Sequence, residues 1–291
     1  MFSSSEIDQL QHNLKARHIT KGDLEFKDLT ANHAIADLES FGAFQGDAMV
    51  ITKAKPLILD SKAGTIAVSY AEVTIEQGGQ IICNSDVDIH IQSLIIKASE
   101  GANLSALGKD GAEGAAPPPA LSQAAVIQNG KNGAHGSNGE NGSNGPNVNL
   151  TIGQVEGTLT IALGGGKGGA GGTGQQGQQG GNGLPVTVAS PYASGFNGGN
   201  GGTGGNGGNG GHGGTVTINC PSLSRDQNNL FVLNYTATGG AGGAGGKGGA
   251  GGTKGIGLYG SNGKAGSPGQ AGQQGAQGEQ PTTMLNGDTY L

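Results

Sequence analysis

Residues 198–214 read GGNGGTGGNGGNGGHGG. Glycine takes two of every three positions, and the third is Asn, Thr or His. A three-residue period matches neither an α-helix at 3.6 nor a β-strand at 2. It matches the polyproline II conformation, with three residues per turn and no internal hydrogen bonds, which polyglycine also adopts. A helix with Gly on two of its three edges exposes bare backbone. Several such helices can lie side by side and exchange N–H···O=C bonds, leaving the third edge for a polar residue. Gly loses the most freedom on ordering, so an isolated run of this kind would be disordered. The same phase returns several times in this chain, with punctuation between copies, and disorder requires no phase.

Working outward from 198–214, the chain resolves into a repeat. One unit runs from Asp86 through the glycines at 108, 111 and 114. A second runs from Asn147 to Gly174, and a third from Thr215 to Gly252. Each reads as strand, connection, strand, then a glycine run that leaves the sheet. Return runs follow, with Gly every third residue from Gly130 to Gly145, the doubled run at 198–214, and a single-Gly run from Gly257 to Gly278. The runs therefore pair as outward and inward legs, roughly three pairs, each leg on the order of 50–60 Å long at about 3.1 Å per residue. The segments that reverse direction at the far end are 116–128, 184–197 and 253–259. They carry Leu121, Val126 and Ile127; Val186, Val188, Tyr192 and Phe196; and Ile256, Leu258 and Tyr259. Loops are normally polar, so apolar tips on a polar rod read as an end cap, a contact surface, or both. Collagen is excluded, because the runs are short, Pro146 and Pro268 are their only prolines, and doubled Gly has no use there. Only 257–278 reads as collagen-like.

Ahead of the legs, residues 49–98 change to a period of two. Ile66, Val68 and Tyr70 alternate, as do Val73 and Ile75, Val87, Ile89 and Ile91, then Leu94 and Ile96, with turns at Gly64, Gly78–Gly79 and Asn84–Asp86. The expected fold is mostly β plus polyglycine II: a β-sandwich or solenoid-like layer joined to a bundle of about six polyglycine II helices. The expected divisions are an attachment segment 1–45, a β layer 46–100, the bundle with interleaved strands 101–280, and a tail 281–291. Within the first, Ser3–Ile19 and Ala31–Phe41 read as short helices, and Asp23–Leu29 alternates as a lone strand. That segment has too few apolar residues for its own core, so it folds back or docks on another subunit.

Composition narrows the function. Among 291 residues there are 63 Gly and no Trp, and the net charge is −6; a nucleic-acid surface would need a basic stripe. No apolar stretch is long enough to span a bilayer, and the N-terminus lacks the apolar core of a signal peptide. Cys83 and Cys220 fit no zinc spacing and are either paired across the fold or buried thiols. His12, His18, His33, His90, His135 and His212 show no ligand spacing. GGGKGG at 164–169 has Gly rather than Ser or Thr after Lys167 and no helix behind it, so it is a poor phosphate loop. No catalytic, metal or cofactor residue stands out, and the expectation is no enzyme and no cofactor.

The doubled-glycine legs at 198–214 and 239–252, with variable turns between them, resemble polyglycine II bundle proteins. Those are the glycine-rich adhesins at the tips of some bacteriophage tail fibres and the glycine-rich layers of bacterial surface filaments. The resemblance covers roughly 105–280, is architectural, and carries over no site residue. It implies a non-enzymatic structural protein, extracellular or on a cell surface, whose partners are copies of itself. The orphan strand supplies the joint: Leu24, Phe26 and Leu29 inserted into a neighbour's sheet by strand addition. The alternative is a virion protein, a tail-fibre tip adhesin binding a cell-surface receptor through Leu121, Ile127, Tyr192, Phe196, Leu258 and Tyr259. Ice binding is a third reading, set back by the irregular mixture of residues on the third edges.

Overall fold

A computed structural model describes residues 43–61, 64–97, 101–185, 194–223, 229–256 and 260–290. The attachment segment, including Leu24, Phe26 and Leu29 and both short helices expected there, lies outside the described residues up to position 42. So do Tyr192, Leu258 and Tyr259. Every regular element among the described residues is a β-strand.

The strands form two open sheets, and the chain alternates between them. β1 (Ala43–Ile51), β3 (Ile66–Ile75), β5 (Val87–Ile96), β7 (Val148–Glu156), β9 (Thr215–Asn219) and β11 (Thr282–Leu285) follow one another in the first sheet. β2 (Leu57–Leu59), β4 (Ile81–Cys83), β6 (Leu104–Leu107), β8 (Leu159–Gly164) and β10 (Leu230–Tyr235) make the second. Neighbours are parallel throughout, as in Ile89↔Leu150 and Ile161↔Leu104. The exception is β12 (Asp288–Thr289), which turns back antiparallel on β11 through Asn286 and Gly287, both at positive φ. The expectation of a mostly β protein is met by two open, parallel sheets that the chain visits in turn, each pair of strands lying beside the pair before it. The strands between the legs join the same sheets as β1–β5, and the C-terminal residues add the last coil.

A corner runs through the first sheet. The ladders skip one pair at Asp47, Ala71, Gln92 and Gly153, which stack in register. The skip changes which parity faces inward, so β3 buries Ile66 and Val68 before it and Val73 and Ile75 after it. This is why 66–70 and 73–75 read as two alternating runs although they are one strand. At the corner, a Cβ on Gly153 would lie 2.5 Å from the Gln92 carbonyl oxygen. The core between the sheets is a column of aliphatic side chains, with Ile51, Leu59, Ile75, Ile89, Leu150, Ile161 and Ile218 sealed from solvent. β-branched residues at alternate positions suit such stacked strands.

Six legs leave and rejoin the sheets: 108–115 and 130–145 (legs 1 and 2) between β6 and β7, 165–183 and 195–213 (legs 3 and 4) between β8 and β9, 237–253 and 261–279 (legs 5 and 6) between β10 and β11. They bond to one another at every third residue. Outward legs 1, 3 and 5 form one row, linked by bonds such as Gly111 N–H to Lys167 O and Gly171 N–H to Ala241 O, both 2.8 Å. Inward legs 2, 4 and 6 form a second, through Gly139 N–H to Asn206 O and Gly207 N–H to Gln273 O, both 2.8 Å. Across the rows the legs run antiparallel: Gly205 donates to Gly172 O and Gly208 to Gly169 O. The result is a two-row slab of hydrogen-bonded backbone.

The glycine pattern follows the position of each leg. Legs 3 and 4 each bond to four others, and both carry doubled Gly. A Cβ on Gly208 would lie 1.8 Å from the Glu140 oxygen, and one on Gly207 would lie 2.0 Å from the Gly240 oxygen. Legs 1 and 6 stand at opposite corners with two neighbours each, so only one edge must be bare and two residues in three are exposed. The collagen-like run is therefore a corner leg.

Candidate interaction surfaces

Side chains complete the slab where backbone partners run out. In leg 2, the Oδ1 atoms of Asn132, Asn138 and Asn141 accept the N–H groups of Asn200, Asn206 and Asn209, at 2.8, 2.8 and 2.7 Å. Leg 4 repeats the device on leg 6: Asn197, Asn200, Asn206 and Asn209 each accept an N–H, from Lys264, Ser267, Gln273 and Ala276, at 2.9 Å. Histidine substitutes twice as acceptor, His135 Nδ1 to Thr203 N–H and His212 Nδ1 to Glu279 N–H. Leg 6 has Lys, Ser, Gln, Gln, Ala and Glu at the matching places, and among the described residues no further inward leg lies beside it. The Asn column thus marks an inward leg that has a successor.

A second substitution occurs where leg 1 stops at Ala115, ahead of Pro117–Pro119. Leg 3 is then left with a bare flank, and Gly gives way to Gln at 175 and 178. The Gln175 amide donates to Pro118 and Pro119 carbonyls at 2.9 and 2.7 Å, and its oxygen accepts Ala134 N–H. Gln178 does the same between Ser122 O and Lys131 N–H.

Among the described residues, no cluster of three His, Cys, Asp or Glu is placed to hold a metal. Cys83 and Cys220 are buried free thiols, and burial pushes Cys83 up to about 12. The GGGKGG run is simply part of leg 3. The N–H groups of Gly166, Lys167, Gly168 and Gly169 are already given to Ser143 O, Asp110 Oδ1, Thr238 O and Glu140 O, so none is free to cradle a phosphate. A polar cleft of about 360 Å³ lies where the legs meet the sheets, lined by Asn84, Asp86, Asn144, Asn147 and leg backbone.

Apart from Val50 on β1 and Leu107 on β6, the exposed large apolar side chains among the described residues fall at two places. The first is the far end of the slab. Leu121, Val126 and Ile127 are exposed there, and Ile256 is 85% exposed; Phe196 is half-buried. Asn182 ties the first and third tips together, its Oδ1 accepting both Gln123 Nε2–H and Thr253 N–H. Ile127 holds φ at 61°, a left-handed conformation that costs a β-branched residue on the order of 1–3 kcal/mol. The second place is the edge strand β10, where Phe231, Leu233 and Tyr235 stand outward at a period of two, with Phe231 and Tyr235 each 52% exposed. The sequence reading singled out the tips. The strand of β10 is expected from the sequence, and its consecutive apolar residues Leu230–Leu233 mark a strand with apolar side chains on both faces.

Comparison of the chain with known protein families, with curated proteins and with solved structures gives no match.

Proposed function

We propose that the legs are polyglycine II helices and that the protein is a non-enzymatic structural subunit, one that assembles with copies of itself into an extracellular filament or matrix. The observation that carries the reading is the polarity of the fold. Parallel coils laid one beside another have two unlike ends, and at the C-terminal end of the stack β10 is an edge strand with an exposed apolar row and, among the described residues, no strand paired outside it. Contact between unlike surfaces is heterologous, and it propagates as a fibre wherever its rotation does not close into a ring. The slab suits a passive role: its legs bond to one another at every third residue, and its third edges are small or polar. The joint is N-terminal strand addition through Leu24, Phe26 and Leu29. The test is sedimentation of the full chain against its Leu24→Asp/Phe26→Asp variant across concentration. Large, concentration-dependent species for the first and monomer for the second support the reading; identical behaviour overturns it.

One observation favours a second reading. Strain at an exposed apolar residue, Ile127, is retained where a Gly would relieve it, which suits a tip adhesin whose distal loops meet a cell-surface receptor. Exchanging residues 121–127 and 254–256 for Gly-Ser segments should then abolish binding to whole cells while the melting profile stays in place. Unchanged binding removes this reading.

A further inference from the structure

We infer that the acceptor for the donated strand is the outer edge of β10, and that the segment seated there is Asp23–Leu29 of the next copy; the inference rests on the self-assembly proposed above. The second sheet ends at β10, because β11 reverses into β12 instead of crossing to it. In parallel pairing, the N–H and C=O of one residue point to the same neighbour and those of the next residue to the other side. Asn229 O accepts Leu159 N–H from β8, so residues 229, 231, 233 and 235 face β8 and residues 230, 232 and 234 face outward. Leu230 O takes the Tyr290 hydroxyl at 3.1 Å. Val232 and Asn234 are left as open edge positions, and among the described residues no strand pairs with them.

The first sheet ends here in β12, a two-residue strand antiparallel on β11, so its edge is short and runs in the opposite sense to β10. A single extended segment suits the longer β10 edge better than a whole first coil does. Residues 1–42 precede β1, at the opposite end of the stack. Asp23–Leu29 places Leu24 and Phe26 on one face and Leu29 on the other. Seated beside β10, Leu24 and Phe26 extend the exposed row of Phe231, Leu233 and Tyr235, while Leu29, with Glu25 and Lys27, lies on the face of the half-buried Val232. Fully extended, residues 30–42 would span at most about 43 Å at 3.3 Å per residue, and less with Ala31–Phe41 in the helix expected from the sequence. A segment that folds back on its own chain is the competing arrangement, and the test separates the two.

Two full-length variants are mixed. Leu24→Asp/Phe26→Asp removes the donor, and Asn234→Pro removes the outward N–H on an exposed edge, where proline is tolerated. Phe231→Lys/Leu233→Lys serves as a second acceptor variant. Native mass spectrometry should find each variant monomeric alone and a heterodimer in the equimolar mixture, because one intact donor and one intact acceptor remain. If both acceptor variants polymerise like the wild type, β10 is not the acceptor, while self-assembly stands. If the mixture stays monomeric, the strand is not exchanged between copies. If the wild type is itself monomeric at every concentration, the proposed function falls as well.

Discussion

Replacing Gly208 by Ala tests whether the legs are packed backbone. In an unpacked chain the substitution would stabilise by about 0.4–1 kcal/mol, because Ala restricts the unfolded state. Here the new Cβ would lie 1.8 Å from the Glu140 oxygen and 2.3 Å from its carbon, against 3.4 Å or more for ordinary contact. Legs 2 and 4 must separate locally by on the order of 1.5 Å, as overpacked interiors do. At risk are Gly139 N–H to Asn206 O and Gly142 N–H to Asn209 O, both 2.8 Å, and the Asn138 and Asn141 side-chain bonds beside them. Losing about two bonds at ~1 kcal/mol each, with ~1–3 kcal/mol of overpacking strain, gives a net cost of about 3 kcal/mol. Urea unfolding should show a lower midpoint with unchanged slope. Gln273→Ala, on an exposed edge of corner leg 6, should fall within about 0.5 kcal/mol of wild type. A neutral or stabilising Gly208→Ala would refute close packing of the legs.

Thr203 interrupts the leg 4 Asn column, and no side chain there accepts the Gln270 N–H. Thr203→Asn exchanges the 2.8 Å contact between the Thr203 hydroxyl and His135 Nδ1 for an acceptor on Gln270 N–H, so stability should stay within about 0.5 kcal/mol of wild type while hydrogen exchange at Gln270 slows; unchanged exchange would contradict the column. The Thr283 hydroxyl is fully buried with no partner, so Thr283→Val should raise stability by about 1 kcal/mol, read as a higher urea midpoint. Burial raises Cys83 from 9.0 to about 12 and raises Tyr70 above its ordinary 10.0. The folded state thus holds protons that the unfolded state has released. Their contribution is intact below pH 9 and is lost as pH climbs toward 12, at ~1.4 kcal/mol per unit for each group. Titrating unfolding midpoints from pH 7 to 11 should show a shallower alkaline fall for Cys83→Ala than for wild type.

Much of the β architecture and the pairing of the legs could be read from periodicity, for a physical reason. Only backbone-to-backbone packing demands Gly at a fixed phase, and only strands demand alternation, so both features leave a mark in a single sequence. The corner at Ala71 and Gln92 was not legible as a corner, because a one-residue change of parity looks the same as a turn between two strands. The role of the Asn column was missed for a different cause. Asn at the third edge reads as generic solvent-facing polarity, and its partner lies 68 residues away in the next inward leg. The β10 edge was hidden because FVLNY looks like any buried strand until its neighbour on one side proves absent. Gln175 and Gln178 could have been read as markers: they break a glycine phase at the point where the preceding outward leg runs into prolines.

The central claim, assembly through unlike ends, is tested most directly by electron microscopy of the tag-free, full-length protein over a range of concentrations. The account requires unbranched filaments with a regular axial repeat that lengthen as concentration rises. Discrete single particles at every concentration would contradict it.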